Sequence, residues 1–296
     1  MKAKVFEMII AVASGKGGTG KTTVATSLAR VLQRRGEKTV FLDADVEAPN
    51  AHLYLAPDFQ QEKGVDVLIP EVNESLCSGC GQCGEVCQYS AIVVLDEKPL
   101  VFPSLCHGCG SCTLICPEGA IQEIPHPIGI LEGGMTAEGV RFGRGLLDIG
   151  KPLVVPIIAE LKKWQQAEDQ GWTVIDAPPG ASCPVVESLR GADFALLVTE
   201  PTPFGLHDLR QAQRVTEEVG VPSGVIINRD GIGDDRVEAY CRKEGLPILM
   251  RIPYQREIGE GIARGKLLVE IDPAYYQRFE DLVQNILTLK AEGARS

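Results

Sequence analysis

Short runs of apolar residues alternate along this chain with longer stretches in which apolar residues recur at helical spacing. The short runs have the length of buried strands, and the longer stretches predict amphipathic helices. Strands are predicted at Val5–Val12, Thr39–Asp43, Leu153–Ile158, Trp172–Asp176, Phe194–Thr199 and Gly224–Asn228. Helices are predicted near Val24–Leu32, Lys162–Gln170, Leu206–Val219 and Ala274–Leu289. This alternation predicts an α/β fold with a mostly parallel, doubly wound sheet.

A glycine-rich loop, with the pattern Gly15-x4-Gly20-Lys21-Thr22, lies between the first strand and the first helix. Its glycines allow successive backbone N–H groups to converge on one anion, and the positive end of the helix adds to the same site. Lys21 brings a cation to the outer phosphates, and the Thr22 hydroxyl is placed to ligate Mg²⁺. The predicted nucleotide-binding residues are Gly15, Lys16, Gly17, Gly18, Thr19, Gly20, Lys21, Thr22 and Thr23.

With Lys16 early in the loop, the sequence resembles the deviant Walker A motif of the MinD/ParA/Mrp superfamily, which also contains the nitrogenase iron protein. The resemblance implies an ATPase with a P-loop NTPase fold. It also implies that two copies of the chain, or one copy and a paralogue, sandwich ATP between them. In that arrangement Lys16 reaches the nucleotide of the partner subunit, and it acts in catalysis together with Lys21.

Carboxylates follow two of the predicted strands, in Asp43-Ala44-Asp45 and in Asp176-Ala-Pro-Pro-Gly180. Ligands of open α/β sheets bind beyond the carboxyl ends of the strands, and an aspartate ending an apolar strand is the Walker B arrangement. The predicted Mg²⁺ site contains Thr22, Asp43 and Asp176. By the resemblance, Asp45 orients the attacking water and Gly180 offers its N–H to the γ-phosphate. A capping or turn aspartate is the alternative, and it suits Asp43 better than Asp45.

Two segments near the C-terminal end resemble the base-recognition region of MinD relatives. Asn228 presents a donor and an acceptor suited to the edge of adenine. Pro253, in Ile252-Pro253-Tyr254, resembles a residue that lines the adenine pocket. Asn228 and Pro253 therefore complete the predicted ATP site.

Eight of the ten cysteines fall within forty residues, in two runs of Cys-x2-Cys-x2-Cys-x3-Cys. The second run repeats the first at an offset of 29 residues. This is the spacing of bacterial two-cluster ferredoxins, in which the fourth cysteine of each run ligates the other cluster. One predicted 4Fe-4S cluster is bound by Cys77, Cys80, Cys83 and Cys116. The other is bound by Cys87, Cys106, Cys109 and Cys112.

Zinc and disulfides are the competing interpretations of these cysteines. Zinc sites usually present cysteines in separated pairs, and disulfides are rare in a reducing cytoplasm. The spacing favours iron–sulfur clusters over both. We therefore predict a small α+β ferredoxin domain at residues 64–128, inserted into an ATPase domain formed by residues 1–63 and 129–296. The glycine-rich segment Gly129–Gly150 is expected to be a loop.

Two further cysteines lie outside the ferredoxin pattern. Cys183 is at about the place of a bridging cluster ligand of the nitrogenase iron protein, but the second such ligand has no match in this sequence. A small buried residue is the simpler interpretation of Cys183. The same interpretation is adopted for Cys241. A C-terminal Cys-x-x-Cys of the Mrp type is absent from the sequence.

The net charge of −11 argues against general nucleic-acid binding, which needs concentrated basic residues. No apolar run approaches the roughly 18–20 residues of a membrane span, and no signal-peptide pattern is present. The helix Ala274–Leu289 mixes acidic and basic residues on its polar face, so we expect it to pack on the core rather than on a membrane. A cytoplasmic location is expected.

Three functions remain open at this stage. The first is an ATPase in which Mg-ATP-dependent dimer and switch changes control a two-cluster ferredoxin module, for gated electron transfer to a partner. The second is an Mrp-like ATPase that assembles or carries iron–sulfur or other metal centres for a client protein. The third is a MinD-like ATPase for spatial positioning, with clusters that sense redox state.

Overall fold

The computed structural model describes residues 8–166 and 171–293. The strands are β1 (Met8–Ala13), β2 (Thr39–Asp43), β3 (Asp58–Val72), β4 (Ile92–Leu95), β5 (Lys98–Val101), β6 (Ile121–Met135), β7 (Arg141–Leu147), β8 (Trp172–Asp176), β9 (Phe194–Thr199), β10 (Ser223–Asp230) and β11 (Ile248–Pro253). The helices are α1 (Lys21–Arg34), α2 (His52–Leu55), α3 (Gln82–Val86), α4 (Ser111–Ile115), α5 (Val154–Gln166), α6 (Cys183–Leu189), α7 (Pro203–Val219), α8 (Arg236–Lys243), α9 (Arg256–Ala263), α10 (Leu268–Ile271) and α11 (Ala274–Gly293).

Nine of the described strands form one sheet, in the order β11-β10-β9-β1-β8-β2-β7-β6-β3. The neighbours from β11 to β7 pair in parallel. Strand β1 lies in the middle, with β8 and β2 on one side and β9 to β11 on the other. The strand order therefore changes direction at β1, and ligands of open α/β sheets bind at such a switch point. The prediction of a large, mostly parallel sheet is confirmed.

The main core lies between this sheet and helices that include α1 and α11. The apolar residues of β1, apart from the half-buried Ile9, are buried, and so are the apolar residues of α1. The strand and the apolar face of the helix therefore both contribute to this core. In α11 the buried residues include Tyr275, Phe279, Leu282, Val283 and Ile286, at the spacing of one helical face. Burial of each is worth roughly 2 kcal/mol. The helix therefore packs into the core, as expected from its mixed polar face.

Two predicted elements are wrong. Leu153–Ile158 is not a strand, because helix α5 begins at Val154 and buries Ile158 and Leu161 at helical spacing. The glycine-rich segment Gly129–Gly150 is not a loop, since much of it forms the end of β6 and all of β7. Parts of two other predictions, residues 5–7 of the first strand and residues 167–170 of a helix, lie outside the described residues.

Residue contacts divide the chain into two compact units. The first contains the described residues up to Glu62, together with Leu131–Leu146 and the chain from Ile158 onward. The second contains Lys63–Ile130 and Leu147–Ile157. The second unit thus includes a segment beyond the predicted insertion at residues 64–128. None of the helices among residues 8–166 and 171–293 combines the length and apolar character needed to cross a bilayer.

Candidate functional site

The glycine-rich loop joins the end of β1 to the start of α1. Gly18 and Gly20 have φ angles of 78° and 97°, in the left-handed region that favours glycine. At Gly20 a Cβ would also lie 2.4 Å from the side-chain nitrogen of Asn228. The Ser14 hydroxyl donates a 2.6 Å hydrogen bond to the carbonyl oxygen of Lys16. The motif therefore folds as a strand, a tight loop and a helix, which is the context that phosphate binding requires.

A cavity of about 650 Å³ opens onto this loop, a volume in the range of small-molecule sites. It is lined by many of the predicted ATP-site residues, namely Gly17, Gly18, Gly20, Lys21, Thr22, Thr23, Asp45, Asn228 and Pro253. Six predicted residues do not line the cavity: Gly15, Lys16, Thr19, Asp43, Asp176 and Gly180. The first three belong to the phosphate loop, and the others lie at or just after the ends of β2 and β8. The structure therefore brings residues from four separate segments to one cavity.

Apolar and aromatic side chains also line this cavity, and most of them were not predicted from the sequence. Leu53 and Tyr54 come from α2, Ile258 and Ile262 come from α9, and Tyr254 follows β11. Such side chains suit the flat face of a nucleobase. The four-residue α2 gives no periodic signal and α9 has no motif, so of these five residues only Tyr254 was predicted, as part of the segment Ile252-Pro253-Tyr254.

Thr22 and Asp176 meet at the start of α1. The Thr22 hydroxyl donates a 2.6 Å hydrogen bond to one carboxylate oxygen of Asp176. The second oxygen is buried and has no hydrogen-bond partner among the described residues. Mg²⁺ binds oxygen ligands such as hydroxyls and carboxylates, and a buried oxygen without a hydrogen-bond partner is available to it. Thr22 and Asp176 offer an adjacent hydroxyl and carboxylate with one such oxygen, so they fit Mg²⁺.

Burial and neighbouring charges raise the pKa values of the three carboxylates at this edge of the sheet. Burial raises the pKa of Asp176 to about 6, although Lys21 and the Thr22 hydroxyl oppose the rise. Burial, with the charge of Asp176, raises the pKa of Asp43 to about 8. Burial also raises the pKa of Asp45, and Lys21 opposes it. A concentration of buried negative charge of this kind favours a bound cation.

Asp43 has another role that the structure makes clear. Its carboxylate accepts hydrogen bonds from the backbone N–H groups of Asn50 at 3.0 Å, Ala51 at 2.9 Å and Asp45 at 3.3 Å. These bonds fix the loop that carries Asp45 toward the cavity. The observed contacts of Asp43 therefore assign it to loop positioning, in line with the turn-aspartate alternative, and direct contact with the metal remains a prediction.

Lys16 turns its ammonium toward Glu200, with 3.4 Å between Nζ and Oε2. The other oxygen of Glu200 accepts a 2.6 Å hydrogen bond from Arg229. Arg229 also approaches the Gly18 carbonyl at 3.4 Å. Neither Glu200 nor Arg229 was predicted, because no local pattern marks a carboxylate whose partners are distant in sequence.

Asn228 is already engaged by protein groups. Its side-chain nitrogen donates to the Thr19 carbonyl at 2.7 Å, and its side-chain oxygen accepts from the Arg229 backbone N–H at 2.9 Å. The observed bonds tie the end of β10 to the phosphate loop. Recognition of adenine by Asn228 stays a prediction, and the amide retains one N–H and one lone pair for it.

The eight clustered cysteines border two small cavities in the second unit. The first cavity is lined by Cys77, Cys80, Cys83 and Cys116. The second is lined by Cys87, Cys106, Cys109 and Cys112. Each cavity thus takes three cysteines from one run and the fourth from the other. Within the described residues, no three His, Cys, Asp or Glu side chains converge closely enough to form a metal site as they stand.

The two halves of this region have the same local structure. Helices α3 and α4 are five residues each, start 29 residues apart, and follow glycines in the left-handed conformation, Gly81 and Gly110. The cavities differ at four equivalent positions, and at two of them the first cavity has Gln82 and Val94 where the second has Ser111 and Glu123. Tyr89 and His107 line the second cavity and stack with ring centroids 3.7 Å apart. Their counterparts in the first cavity are Glu118 and Ser78.

The surroundings of the cysteine thiols suit iron–sulfur clusters. Backbone N–H groups approach three of the sulfurs: Ala91 N lies 3.2 Å from Cys87, Ala120 N lies 3.3 Å from Cys116, and Gly108 N lies 3.4 Å from Cys106. Such contacts stabilise thiolate ligands. The lining of four cysteines per cavity and these donors fit two four-iron clusters, which remain a proposal.

The two other cysteines differ in exposure. Cys183 begins α6 and is exposed, which contradicts its interpretation as a buried residue. Cys241 in α8 is buried as expected, and burial raises the pKa of its thiol to about 11. Cys241 is therefore a structural residue.

Comparison with known proteins places this geometry in a family. The family described as "CobQ/CobB/MinD/ParA nucleotide binding domain" matches residues 10–269. An uncharacterized protein of Methanocaldococcus jannaschii is 32% identical over 282 residues, which cover 94% of this chain and 96% of that protein. An iron-sulfur cluster carrier protein of Pyrococcus horikoshii is 25% identical over 325 residues, covering 99% and 92%.

The fold has solved counterparts as well. The septum site-determining protein MinD of Pyrococcus horikoshii, solved with Mg-ADP, superposes with a TM-score of 0.60 at 22% identity, covering 95% of this chain and 96% of that one. At this identity the likeness concerns the fold. The family match over most of the chain, the P-loop and the parallel sheet agree, and the chain therefore belongs to the CobQ/CobB/MinD/ParA nucleotide-binding family of P-loop ATPases.

Proposed function

We propose that this protein is a Mg-ATP-dependent ATPase whose nucleotide state controls a resident pair of 4Fe-4S clusters, for gated electron transfer to a partner protein. The observation that carries the proposal is the lining of the two cavities, which divides eight cysteines into two crossed sets of four. A full set of four cysteines favours a cluster that stays in the protein.

The residues of the large cavity suit ATP hydrolysis. Lys21 would contact the outer phosphates, and Asp45 would orient the attacking water. Thr22 and Asp176 would hold Mg²⁺, which when bound neutralises charge that develops on the phosphates. The apolar residues from α2 and α9 would receive the base.

Gly180 supplies a switch between nucleotide states. In this structure its N–H donates a 2.9 Å hydrogen bond to the Ser14 carbonyl, at the base of the phosphate loop. Contact with a γ-phosphate would require the N–H to exchange that acceptor. The segment from Asp176 to Gly180 would then take a different position with ATP than after hydrolysis, because the phosphate contact exists in only one state.

Self-association is part of the proposal. The ammonium of Lys16 points to Glu200 and lies outside the lining of the cavity of its own chain. A lysine so placed suits the nucleotide of a second copy, or of a paralogue, better than that of its own subunit. Closure around two ATP molecules would then link hydrolysis to the way the redox unit meets its partner.

A second candidate function is assembly or carriage of iron–sulfur centres. It is favoured by the relatives from Pyrococcus and Methanocaldococcus that are named iron-sulfur cluster carrier proteins. The four-cysteine lining counts against it, since clusters with complete cysteine ligation are hard to give away. A positioning function of the MinD type has the solved folds in its favour, and those show the fold alone.

The deciding experiment is anaerobic purification of the full chain, with iron and sulfide counted and the clusters followed spectroscopically. Electron transfer predicts about eight irons per chain and an ATP-dependent change in the rate at which a reduced donor is oxidised. The carrier function predicts ATP-dependent appearance of iron in an apo-ferredoxin acceptor with bleaching of this protein. A preparation without iron, or without ATP hydrolysis, would overturn the proposal.

A further inference from the structure

Glu200 contacts two cations at once, Lys16 and Arg229. The first of these is the lysine proposed to act at the nucleotide of a second subunit. We infer that Glu200 is a positioning residue that restrains Lys16 in the nucleotide-free chain and releases it when two subunits close on ATP. The inference rests on the proposed function, because it requires Lys16 to reach the nucleotide of a second copy. It adds a residue that sets how readily the closed dimer forms.

The carboxylate of Glu200 is fixed in place. Glu200 follows β9, which pairs with β1 so that Ala13 lies opposite Leu197. The end of β9 is therefore adjacent to the start of the phosphate loop. The Thr202 backbone N–H donates to the Glu200 carbonyl at 2.8 Å. A Cβ at Gly205 would lie 2.1 Å from the same oxygen, so the turn is tightly packed.

Because the Glu200 side chain is only 7% exposed, it cannot follow Lys16 into solvent. Lys16 itself is 36% exposed on a flexible stem. When the two groups separate, Lys16 is the one that moves. Separation breaks the 3.4 Å contact and leaves the carboxylate where it is.

The second cation, Arg229, lowers the free-energy cost of separating Glu200 from Lys16. A buried carboxylate that loses its only partner is strongly destabilising. Glu200 keeps Arg229, whose Nη1 lies 2.6 Å from the oxygen that Lys16 does not contact. The two contacts use different oxygens, so one can break while the other persists. The shorter, oriented Arg229 bond is the permanent one, and the longer Lys16 contact is the exchangeable one.

Arg229 is held by its hydrogen bonds rather than by burial, since its side chain is 47% exposed. It donates to Glu200 at 2.6 Å and to the Gly18 carbonyl at 3.4 Å. Its φ of 54° lies in the left-handed region, which is uncommon for a residue with a side chain. The loop after it packs against the residue that follows Glu200, since a Cβ at Gly233 would lie 1.3 Å from the Pro201 carbonyl oxygen. The backbone of Arg229 is thus fixed next to Glu200, and the two side-chain hydrogen bonds keep its guanidinium there when Lys16 leaves.

The restraint predicts a competition. Glu200 and the phosphates of the partner's nucleotide both attract the ammonium of Lys16. The apparent association constant of the dimer falls as the fraction of chains with a free Lys16 falls, because only those chains are competent to close. Removing the charge of Glu200 while preserving an acceptor for Arg229 should therefore favour the closed dimer.

The test compares Glu200→Gln with the unaltered full chain, prepared anaerobically with Mg²⁺ and a non-hydrolysable ATP analogue. Sedimentation equilibrium should give a dimer dissociation constant lower by about two- to fivefold, the size of effect expected for a partly exposed ion pair. Binding of a fluorescent ATP analogue to dilute monomer should be unchanged within about twofold. An unchanged or weaker dimer, with monomer binding retained, would overturn the inference.

Three variants separate the restraint from a structural effect. In a Lys16→Met background, Glu200→Gln should no longer change the dimer constant. Glu132→Gln removes another carboxylate that pairs with an arginine, Arg144, and should have no effect. Glu200→Asp shortens the side chain and lengthens the contact with Lys16, so it should change the dimer constant in the same direction if Glu200→Gln folds poorly. An unaltered chain that never dimerises with the analogue would overturn the proposed function itself.

Discussion

The Thr22 hydroxyl lies 2.6 Å from one carboxylate oxygen of Asp176, although the two residues are 154 positions apart. The sheet produces this approach, because Val12 of β1 lies opposite Asp176 of β8 and the phosphate loop starts one residue after β1 ends. The second oxygen of Asp176 is buried with no hydrogen-bond partner in the part of the chain that the structure describes. This unpartnered oxygen is the one that the proposed Mg²⁺ site would use.

Replacement of Asp176 by Asn should have opposite effects without and with Mg-ATP. Burial raises the pKa of Asp176 to about 6 from 3.8, so the folded state binds more protons than the unfolded state between these values. Stability of the metal-free protein should therefore fall as pH rises from about 4 through about 6. At pH 8, Asp176→Asn should be more stable than the unaltered metal-free protein, because the substitution removes a buried charge.

Thermal unfolding against pH, with and without Mg-ATP, measures both effects. The stabilisation by Mg-ATP should be largely lost in Asp176→Asn, because the carboxylate ligand is gone. Asp281→Asn, at an exposed position of α11, serves as the control and should change neither curve. A metal-free Asp176→Asn that is less stable at pH 8 would show that the carboxylate is stabilised by the protein alone.

Lys16→Ala should abolish hydrolysis while leaving nucleotide binding intact. Lys16 contacts Glu200 and does not line the cavity of its own chain, so its removal should change ATP affinity by less than about threefold. Loss of a cation that stabilises the transferring phosphate should lower kcat by at least about 100-fold. Steady-state ATPase assays and equilibrium binding measure the two quantities. Lys163→Ala, at an exposed lysine, is the control, and normal hydrolysis in Lys16→Ala would contradict the cross-subunit role.

Alkylation should distinguish the cysteines by their surroundings. Under anaerobic conditions, iodoacetamide should label Cys183, which is exposed, and leave Cys241 unlabelled because it is buried and burial raises its pKa. If the clusters are present, Cys80 and Cys109 should resist labelling although both are exposed. Removal of iron by a chelator should make these two react first. Peptide mass spectrometry locates the labels, and rapid labelling of Cys80 in iron-loaded protein would argue against its ligation.

Crossed ligation of the two cysteine runs can be tested by counting iron. Replacing Cys77, Cys80 and Cys83 by serine should remove one cluster and about half of the iron. In that background, Cys116→Ser should cost no further iron, because Cys116 lines the cavity of the lost cluster. Cys87→Ser should lower the remaining iron, since Cys87 lines the other cavity. The reverse result would show that each run binds its own cluster.

The phosphate loop could be predicted from the sequence because both its motif and the strand and helix that flank it are encoded locally. The pattern around Lys21 and Thr22 needs a strand before it and a helix after it, and apolar periodicity supplied both. The cavity lining by Asp45, Asn228 and Pro253 followed from the superfamily resemblance. The division of cysteines between two cavities agrees with the spacing rule of ferredoxins, although occupation by clusters awaits measurement.

Other features depend on contacts that no local pattern encodes. The apolar run Leu153–Ile158 is short enough to be a strand or the start of a helix, and only packing decides between them. The glycines before and after Arg141 suggested a loop, but pairing of β7 with β2 makes that segment a strand. Glu200 has no motif at all. Its importance arises because Lys16 and Arg229 approach it from distant parts of the chain.

The two repeated halves of the cysteine region can be compared with each other position by position. Helices α3 and α4 and the glycines before them are matched, so the two proposed clusters would share most of their surroundings. Tyr89 and His107 stack at one cavity, where the other has Glu118 and Ser78. Each cavity is also lined by one carboxylate, Glu118 in the first and Glu123 in the second, so the proposed clusters would differ more in aromatic shielding than in nearby charge. Unequal shielding would give the two clusters unequal reduction potentials, and an electron on the protein would then occupy one of them more often than the other.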